Sequence, residues 1–524
     1  MVLTLLACTS VTVLSDPAGG SSATVAHDSD DVEEVGGQPD SNDTGPGNTD
    51  GACQPGGGPV YVTEGEEAVL TLHCRAAGDA TDWAVLNLPD GASFDAKAKT
   101  VRWTPALDQA GRWDLAVQAT TTEVEDGSAT IWVADAWDDR QNTPIDPIAY
   151  EEEFGLPVLH IDKPKNMDDW NSVATQAVYR GHTYDIELQY RGAASRYYPK
   201  NSYKLAFAAG DEFEDKAESF DNRRNIVITS TFDDNAYFRQ KLCFDIWNAL
   251  RPDRPQQMQS MFVVVYLSDE YEGLYLLTDH VDREYWKDQG FTEAINMYKS
   301  VDHSANFYDT YGGAKSSWHS GYEQKEAVDT TWADIDALVE FVSEASTAEF
   351  EAGIADRIDI GDVYDWWTLV VFTEADDSAG KNAYLVNDPT APIFRQVPWD
   401  FNHSLGQTWQ TEREGATYAE DFTGANNLFR RLLDSPTYGD PMRQEMLDAL
   451  DGALSIDELN GVIDEYMTKI GPSAARDWDK WRSQYRGYNG WNWRDDFTEE
   501  DEEIAYVRDW ISARNAYVRN WIGN

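Results

Sequence analysis

Positively charged residues are scarce in this chain. It has 41 lysines and arginines against 94 aspartates and glutamates, which gives a formal net charge of −53 over 524 residues. Nucleic acids and anionic membranes repel such a surface, so neither is expected as the main partner. This much acid is typical of a strongly solvated surface, as in proteins from salty environments. A specific cationic partner or a Ca²⁺-rich surface is the second interpretation.

Cysteine is also rare. The four cysteines form neither a C-x-x-C motif nor a Cys/His cluster, so a structural zinc site is not expected. Cys53 and Cys74 flank a predicted strand and could pair in an oxidising compartment. Cys243 lies in the helical pattern FRQKLCFDIWNAL, which predicts a buried thiol.

Long apolar runs are missing, and no later segment is long enough to span a bilayer. Leu5-Leu6-Ala7-Cys8 resembles a bacterial lipobox, but the run is short and no basic residue precedes it. Either the true start codon lies upstream, or this is only an apolar N-terminus. The spacer that follows favours the first interpretation. Residues 1–15 would then be a signal/lipobox-like segment. The protein would be a bacterial lipoprotein of the cell envelope or extracellular space, touching a membrane only through a lipid on Cys8.

The remaining chain divides by composition. Residues 16–58 lack aromatic residues and predict a disordered acidic linker. Residues 59–135 contain short alternating runs separated by turns, which predict a small all-β sandwich. Within them, LPDGASFDAKAKTVRWTPALDQAGRWDLAVQAT resembles bacterial immunoglobulin-like domains, which implies a spacer or adhesive role. Residues 136–156 are a connector, and residues 157–524 are predicted to form an α+β domain.

Two segments of the α+β domain carry the pattern of phosphoryl transfer. Asp377 and Asn382 have the D-x-x-x-x-N spacing of a protein-kinase catalytic loop, and an Asp-Phe-Asn tripeptide begins at Asp400 after an apolar run. The reaction needs a carboxylate that orients the attacking hydroxyl and oxygen ligands that hold Mg²⁺ on the phosphates. Asp377 is the predicted catalytic residue, with Asp376 as the alternative. Asn382, Asp400 and Asn402 are the predicted metal ligands.

No G-x-G-x-x-G or Walker A motif is present, so basic side chains and backbone amides would have to hold the phosphates. Lys204 lies in the middle of a predicted strand, where kinase-like domains carry the lysine that contacts the α- and β-phosphates. Arg191, Arg196 and Lys200 crowd the same segment, and Lys381 lies beside the predicted metal amide. Lys204, Arg196, Lys200 and Lys381 are therefore the predicted nucleotide-binding residues.

Several separated motifs in residues 160–522 resemble the CotH family of atypical protein kinases. They are RGAASRYYPKNSYKLAF, STFDDNAYFRQKL, YEGLYLLTDHVD, KNAYLV, PWDFNHSLG and the terminal helical pattern. The resemblance implies a remote protein-kinase-like fold with two lobes. It also implies an activity that phosphorylates serine, and by extension threonine, on secreted or coat proteins, using ATP and Mg²⁺ or Mn²⁺.

The chain departs from the family pattern at two positions. Asn402 replaces the second carboxylate of Trp-Asp-x-Asp, and Asp279 stands where relatives often carry Glu, the residue that could pair with the strand lysine. His403 is expected to be a local hydrogen-bonding residue. Asp234 and Arg239 match family positions, although Asp234 could simply cap the helix that carries Arg239. These departures leave both an active kinase and a pseudokinase open.

Three functions compete. The first is an exported phosphotransferase acting on Ser or Thr side chains of an envelope or extracellular protein. The second is a catalytically silent kinase-like scaffold or adhesion protein. The third is a glycan-binding or glycan-processing protein, suggested by 20 Trp and 26 Tyr residues. No isolated carboxylate pair in a glycosidase-like context supports the third.

Overall fold

The computed structural model describes residues 53–75, 80–136, 145–168, 170–292, 294–328, 331–491 and 499–523. The lipobox-like segment, Cys8 and most of the predicted linker lie outside these ranges. The described residues combine helices with several β-sheets, which confirms the predicted α+β class. Among them, no helix is both long enough and apolar enough to cross a membrane.

Residues 55–134 form two β-sheets around one apolar core. Alternation produces this arrangement: in GRWDLAVQAT, the side chains of Leu115, Val117 and Ala119 are buried while their neighbours face outward. The first sheet has the order β4-β1-β9-β8-β5, with β2 also paired to β9, and the second has the order β3-β7-β6. The strands are β1 (Pro55–Gly56), β2 (Val60–Thr63), β3 (Ala68–Thr71), β4 (His73–Cys74), β5 (Asp82–Val85), β6 (Ser93–Asp95), β7 (Thr100–Trp103), β8 (Gly111–Thr120) and β9 (Val124–Ala134).

This β module begins earlier than position 59, where the sequence places its start. Cys53 is joined to Cys74 by a disulfide bond, and β1 pairs with both β4 and β9. A Cβ atom on Gly127 would lie 1.8 Å from the carbonyl oxygen of Pro55, so β1 and β9 pack backbone against backbone at that point. The Gly/Pro-rich end of the predicted linker is thus part of the folded module.

The second region starts with an eight-stranded sheet in the order β10-β11-β12-β13-β14-β17-β19-β18. Strand β11 also pairs in parallel with β18, so the sheet closes on itself, and we call it the closed sheet. Its strands are β10 (Glu152–Glu153), β11 (Leu156–Ile161), β12 (Val173–Tyr179), β13 (His182–Arg191), β14 (Ser202–Phe207), β17 (Asn225–Ser230), β18 (Ser260–Leu267) and β19 (Glu270–Asp279); β15 (Phe213–Asp215) and β16 (Phe220–Arg223) form a separate hairpin.

Alternation gives the closed sheet two different faces. On β14, the side chains of Tyr203, Leu205 and Phe207 lie in the core enclosed by the sheet. Ser202 and Lys204 therefore project from the opposite, outer face, toward the rest of the domain. The outer face also carries apolar side chains that belong to a second, larger core shared with the helices.

A second sheet and most of the helices complete the domain. The sheet has four strands in the order β21-β20-β22-β23, and we call it the four-stranded sheet. Its strands are β20 (Asn296–Ser300), β21 (Tyr322–Glu326), β22 (Ala383–Asp388) and β23 (Ala391–Pro398). The helices are α1 (Arg239–Leu250), α2 (Arg283–Asp288), α3 (Ala333–Glu344), α4 (Thr347–Gly353), α5 (Ile360–Thr373), α6 (Asn427–Leu433), α7 (Gly439–Asp451), α8 (Ile456–Arg486) and α9 (Glu500–Ile522).

A short break separates helices α7 and α8. Helix α7 ends before Gly452, and Ser455 caps α8 by accepting a hydrogen bond from the backbone N–H of Glu458. Glycine and an N-capping serine are ordinary stop and start signals. Helix α5 is buried along most of its length and forms the centre of the larger core.

Candidate functional site

The two motif segments meet at one end of the β22–β23 hairpin. Asn382 directly precedes β22, Asp400 lies two residues after β23, and the backbone N–H of Trp399 donates a hydrogen bond of 3.0 Å to the carbonyl of Asn382. Asn382 and Asp400 adopt left-handed backbone conformations, with φ of 56° and 64°. Asn and Asp tolerate this region better than most residues. The hairpin therefore brings an amide and a carboxylate to the same edge.

Asp377 lies in a single 3₁₀ turn, Asp376–Ser378, that follows α5. Its carboxylate accepts hydrogen bonds from Lys381 Nζ at 2.6 Å and Asn382 Nδ2 at 3.1 Å, and His303 Nε2 lies 3.4 Å away. Burial opposes ionisation, but hydrogen bonds with His303 and Lys381 hold the pKa of Asp377 well below its usual range. Asp377 therefore stays ionised, which suits a carboxylate that orients a hydroxyl by accepting its hydrogen bond.

Asp400 and Asn382 offer oxygen atoms to a cation. Asp400 is exposed and accepts no hydrogen bond from the described residues. Asn382 uses its amide nitrogen on Asp377, which leaves its carbonyl oxygen for a ligand. Within the described ranges, no three His, Cys, Asp or Glu side chains gather as a metal site. One carboxylate and one amide fit Mg²⁺ only if phosphates and water supply the remaining ligands.

Asn402 and His403 brace the loop that follows Asp400. The amide nitrogen of Asn402 donates to Asp233 Oδ2 at 2.7 Å, and His403 Nε2 lies 3.2 Å from the same oxygen. Burial opposes protonation, but the contact with Asp233 raises the pKa of His403. His403 is the local hydrogen-bonding residue that the sequence indicates. Asn402 carries a structural contact, and its role as a metal ligand stays a prediction.

Basic side chains from both sheets approach Asp400. Arg191 ends β13, and its guanidinium carbon lies 4.5 Å from the ring centre of Trp399. Lys299 comes from β20, with Nζ 5.7 Å from the ring centre of Tyr384. Asp400 interacts electrostatically with both Arg191 and Lys299. Burial, reinforced by Arg191, lowers the pKa of Lys299 to about 8.

Lys204 occupies the outer face of β14, next to Arg191 on β13. The register pairs Lys204 with Gln189, two residues before Arg191, so the two cationic side chains project from the same face. His280 interacts electrostatically with both cations, which shows that they share one region. Burial lowers the pKa of Lys204, and nearby Asp282 offsets part of this effect. We call the space bordered by Arg191, Lys204 and Lys299 the cationic cleft.

Lys200 does not belong to the cationic cleft, which contradicts the prediction that it binds phosphate. Its ammonium is fully buried and donates to Asp477 Oδ2 at 2.5 Å, the carbonyl of Leu274 at 2.6 Å and Thr231 Oγ1 at 3.0 Å. These three acceptors saturate its three donors. Gly273 makes room for the pair, since a Cβ there would lie 2.0 Å from Asp477 Oδ2. Lys200 is a structural residue.

Two other predicted phosphate-binding residues have definite positions. Arg196 lies on the 3₁₀ turn Ala194–Tyr197, with its guanidinium carbon 4.2 Å from the ring centre of the exposed Trp170. Lys381 is held by Asp377, as described above, at the edge where a phosphate would meet the acceptor. Phosphate binding by Arg196 and Lys381 remains a prediction.

Asp279 and Asp234 are structural. Asp279 is buried and accepts a hydrogen bond of 2.7 Å from Arg223 Nε, so it is already paired with a cation other than Lys204. Asp234 accepts hydrogen bonds from the backbone N–H of Arg239 at 2.8 Å and from its Nη1 at 2.6 Å. The side chain of Asp234 therefore accepts the first N–H of α1, although Phe238 is the N-cap residue.

Sequence reasoning did not find Lys299, His303 or Asp233. Lys299 lies in a five-residue strand, His303 in the loop that follows it, and Asp233 in a turn before α1. None of these positions forms a spacing motif with the others. Only the pairing of β20 with β22 brings Lys299 opposite Tyr384.

One family model matches the chain, that of the CotH kinase protein, over residues 188–518. The chain is also 24% identical over 358 residues to the inner spore coat protein H of Bacillus subtilis (strain 168). That alignment covers 67% of this chain and 92% of the relative. The matched residues include every part of the site described above.

Two solved structures illustrate weak likenesses. A putative alpha-galactosidase from Bacteroides fragilis NCTC 9343 is 12% identical, with a TM-score of 0.14, over 16% of this chain and 18% of that one. The PKD domain from human KIAA0319 is 12% identical, with a TM-score of 0.13, over 20% of this chain and 100% of that one. Likenesses at this level carry no argument about fold or function.

Proposed function

This chain belongs to the CotH kinase protein family, and we propose that it is an exported phosphotransferase that moves the γ-phosphoryl group of ATP onto Ser or Thr side chains. One observation carries the proposal. Asp377, Asn382 and Asp400 converge at one end of a hairpin, and a cleft of cationic side chains adjoins them. Phosphoryl transfer needs this combination of an acceptor-orienting carboxylate, oxygen ligands and positive charge.

Each residue of the site has a role in this proposal. Asp377 accepts the hydrogen bond of the attacking hydroxyl and aims its oxygen at the γ-phosphorus. Lys381 and His303 keep Asp377 ionised and fixed in place. Asp400 and Asn382 would hold Mg²⁺ or Mn²⁺, which neutralises charge on the phosphates when bound. Lys204 holds phosphate oxygens from the closed sheet.

The two-lobed organisation of a kinase supports this assignment by analogy. The closed sheet, which carries Lys204, would be the first lobe. The four-stranded sheet with α3–α9, which carries Asp377 and Asp400, would be the second. The N-terminal β module, which contributes no residue to the site, would act as an immunoglobulin-like spacer.

The setting is proposed from the relative and from the N-terminus. The relative is named as a spore coat protein, which supports an envelope or extracellular location and a protein acceptor for this chain. A lipid on Cys8 would anchor the protein at the envelope.

Intact-mass spectrometry tests the proposal. The full chain is incubated with ATP and Mg²⁺ or Mn²⁺, with and without a serine-rich acceptor protein, and ADP release is followed in parallel. We expect phosphate to be added by the wild type and to be lost in Asp377→Asn and Asp400→Ala. Asp376→Asn is measured in parallel, because Asp376 is the alternative carboxylate of the same turn, and we expect it to keep phosphate transfer.

Two outcomes would contradict the proposal. Equal phosphate transfer by wild type and Asp377→Asn would remove Asp377 from the reaction. Neither phosphate transfer nor ADP release under any of these conditions would favour the catalytically silent scaffold.

A further inference from the structure

Three buried cations that hold the framework together form ion pairs, whereas the cations of the cationic cleft form none among the described residues. Buried Arg239 contacts Asp234 and Glu503, buried Arg514 contacts Glu374, and Lys200 contacts Asp477. Among the described residues, by contrast, the side chains of Arg191, Lys204 and Lys299 make no ion pair within 4.0 Å and no hydrogen bond.

The absence of partners in the cleft runs against the composition of the chain. Acidic residues outnumber basic ones by more than two to one, so carboxylate partners are abundant. The three side chains are all partly buried. A partly desolvated cation without a counter-charge is unfavourable, and proteins usually satisfy it with a carboxylate or a ligand. Asp400 acts on Arg191 and Lys299, and Asp282 on Lys204, without forming an ion pair within 4.0 Å. Three cations around one region, none in contact with a carboxylate, indicate a site for a multiply charged anion.

Neighbouring side chains hold two of these cations in place. The Arg191 guanidinium lies over Trp399, and Lys299 extends beside Tyr384. In the pairing of β20 with β21, Glu323 lies directly opposite Lys299. Glu323 nevertheless forms its ion pair with Lys325. The Lys299 ammonium is thus backed by an aromatic ring and left available to an anion.

We propose that Arg191 and Lys299 bind the terminal phosphates of the nucleotide, so that the polyphosphate chain is held between the closed sheet and the four-stranded sheet. The choice of a nucleotide as the anion rests on the proposed function. The presence of an anion site rests on the cleft alone. In this arrangement Lys204 contacts the chain from β14, Arg191 from the end of β13 and Lys299 from β20. A guanidinium can engage two phosphate oxygens at once, and an ammonium adds a point charge.

Isothermal titration calorimetry tests the inference without metal or acceptor. ADP and inorganic tripolyphosphate are titrated separately into the full chain and into Lys299→Met, Lys299→Arg, Arg191→Met and Lys216→Met. Lys216 is the control, because it is an exposed lysine between β15 and β16 that is paired with Glu214. Each variant is first shown to melt within a few degrees of the wild type.

We expect Lys299→Met and Arg191→Met each to bind both anions at least about tenfold more weakly than the wild type, as for the loss of one charge-assisted contact. Lys216→Met and Lys299→Arg are expected to bind within about threefold of the wild type, since the first leaves the cleft intact and the second keeps its charge. If either Lys299→Met or Arg191→Met fails to fold, the anion affinities of the remaining variant and of Lys299→Arg still test the inference.

Two results would overturn the inference: no binding of either anion by the wild type, or equal weakening in Lys299→Met and Lys216→Met. These results are separable from failure of the proposed function. Phosphate transfer by the wild type together with unchanged anion affinity in Lys299→Met would remove Lys299 and keep the function. Anion binding that depends on Lys299, with no phosphate transfer, would keep the site and remove the function.

Discussion

Two lysines only four residues apart, Lys200 and Lys204, have opposite environments. Lys200 is buried and donates to three protein oxygens, one of them from Asp477 on α8. Lys204 projects from the outer face of β14 without an ion pair among the described residues. The position of a lysine in the sequence therefore says little about its role. What distinguishes the two lysines is whether protein oxygens already accept hydrogen bonds from the ammonium group, as in Lys200, or leave it available to a ligand, as in Lys204.

The same distinction holds for the whole domain. Framework cations tie helices to sheets, as Arg239 does between Asp234 and Glu503 of α9. Two cleft cations, Arg191 and Lys299, lie near the exposed carboxylate of Asp400. Substitution of a framework cation should therefore lower the stability of the protein, whereas substitution of a cleft cation should weaken ligand binding.

The largest expected effect is on stability. Lys200→Met leaves Asp477 buried without its cation, and we expect a loss of about 3–5 kcal/mol in the free energy of unfolding. Lys204→Met is the matched variant and should change the free energy by no more than about 0.5 kcal/mol while weakening ADP binding. Urea denaturation of both variants measures the difference. Equal stability of Lys200→Met and Lys204→Met would contradict the distinction between a structural Lys200 and a ligand-binding Lys204.

The next effect is on catalysis. Asp377→Asn keeps the shape of the side chain but removes the charge that orients the acceptor hydroxyl, and we expect phosphate transfer to fall by at least about 10²-fold. The affinity for ADP should stay within about threefold, since Asp377 faces the acceptor rather than the cationic cleft. Initial rates and calorimetry on the same preparation check both parts. If Asp377→Asn lost ADP binding but kept phosphate transfer, the role of Asp377 in orienting the acceptor hydroxyl would be contradicted.

A third effect separates the β module from the cleft. Cys53 and Cys74 are 21 residues apart and their bond closes a loop, so its reduction should destabilise the module by about 3 kcal/mol in the chain-entropy model. ADP affinity should not change, because the module contributes no residue to the cleft. Limited proteolysis within residues 53–134, followed by mass spectrometry with and without reductant, measures the first part. Loss of ADP binding on reduction would show that the module supports the site.

The smallest effect is on the pH dependence of binding. The pKa of Lys299 is lowered to about 8, so the free protein loses the Lys299 charge as the pH rises through that value. Phosphate favours the protonated amine, and ADP affinity should therefore fall, by up to about tenfold, between pH 7 and pH 9.5. Lys299→Arg stays charged and should show a smaller fall. Identical pH profiles of ADP affinity for the wild type and Lys299→Arg would show that Lys299 does not cause the pH dependence.

Local signals made part of the fold predictable. Alternation in GRWDLAVQAT and SYKLAF located strands β8 and β14, and the apolar spacing of EEIAYVRDWISARNAYVRNWI located α9. The closure of the sheet through β11 and β18 could not be foreseen. It joins segments about 100 residues apart, and no local pattern encodes that pairing. The early start of the β module was missed because a disulfide and a backbone contact at Gly127 order a segment of linker-like composition.

The candidate site was predictable where motif residues are close in sequence. Asp377, Asn382 and Asp400 stand on either side of one hairpin, so spacing alone placed them together. Lys200 was misjudged because its partner, Asp477, lies 277 residues away on α8. Lys299 was missed for the related reason that its place in the cleft depends on the pairing of β20 with β22 and on the approach of Arg191 from another sheet.

Lysine footprinting tests the central claim most directly. The full chain is treated with an acylating reagent at pH 8 with and without saturating ADP, and modification at each lysine is quantified by peptide mass spectrometry. The account predicts that Lys204 and Lys299 are modified in the free protein and protected by ADP. Lys325 should be modified in both states and buried Lys200 in neither. Equal modification of Lys299 with and without ADP would contradict the claim that the unpaired cations of the cleft form the nucleotide site.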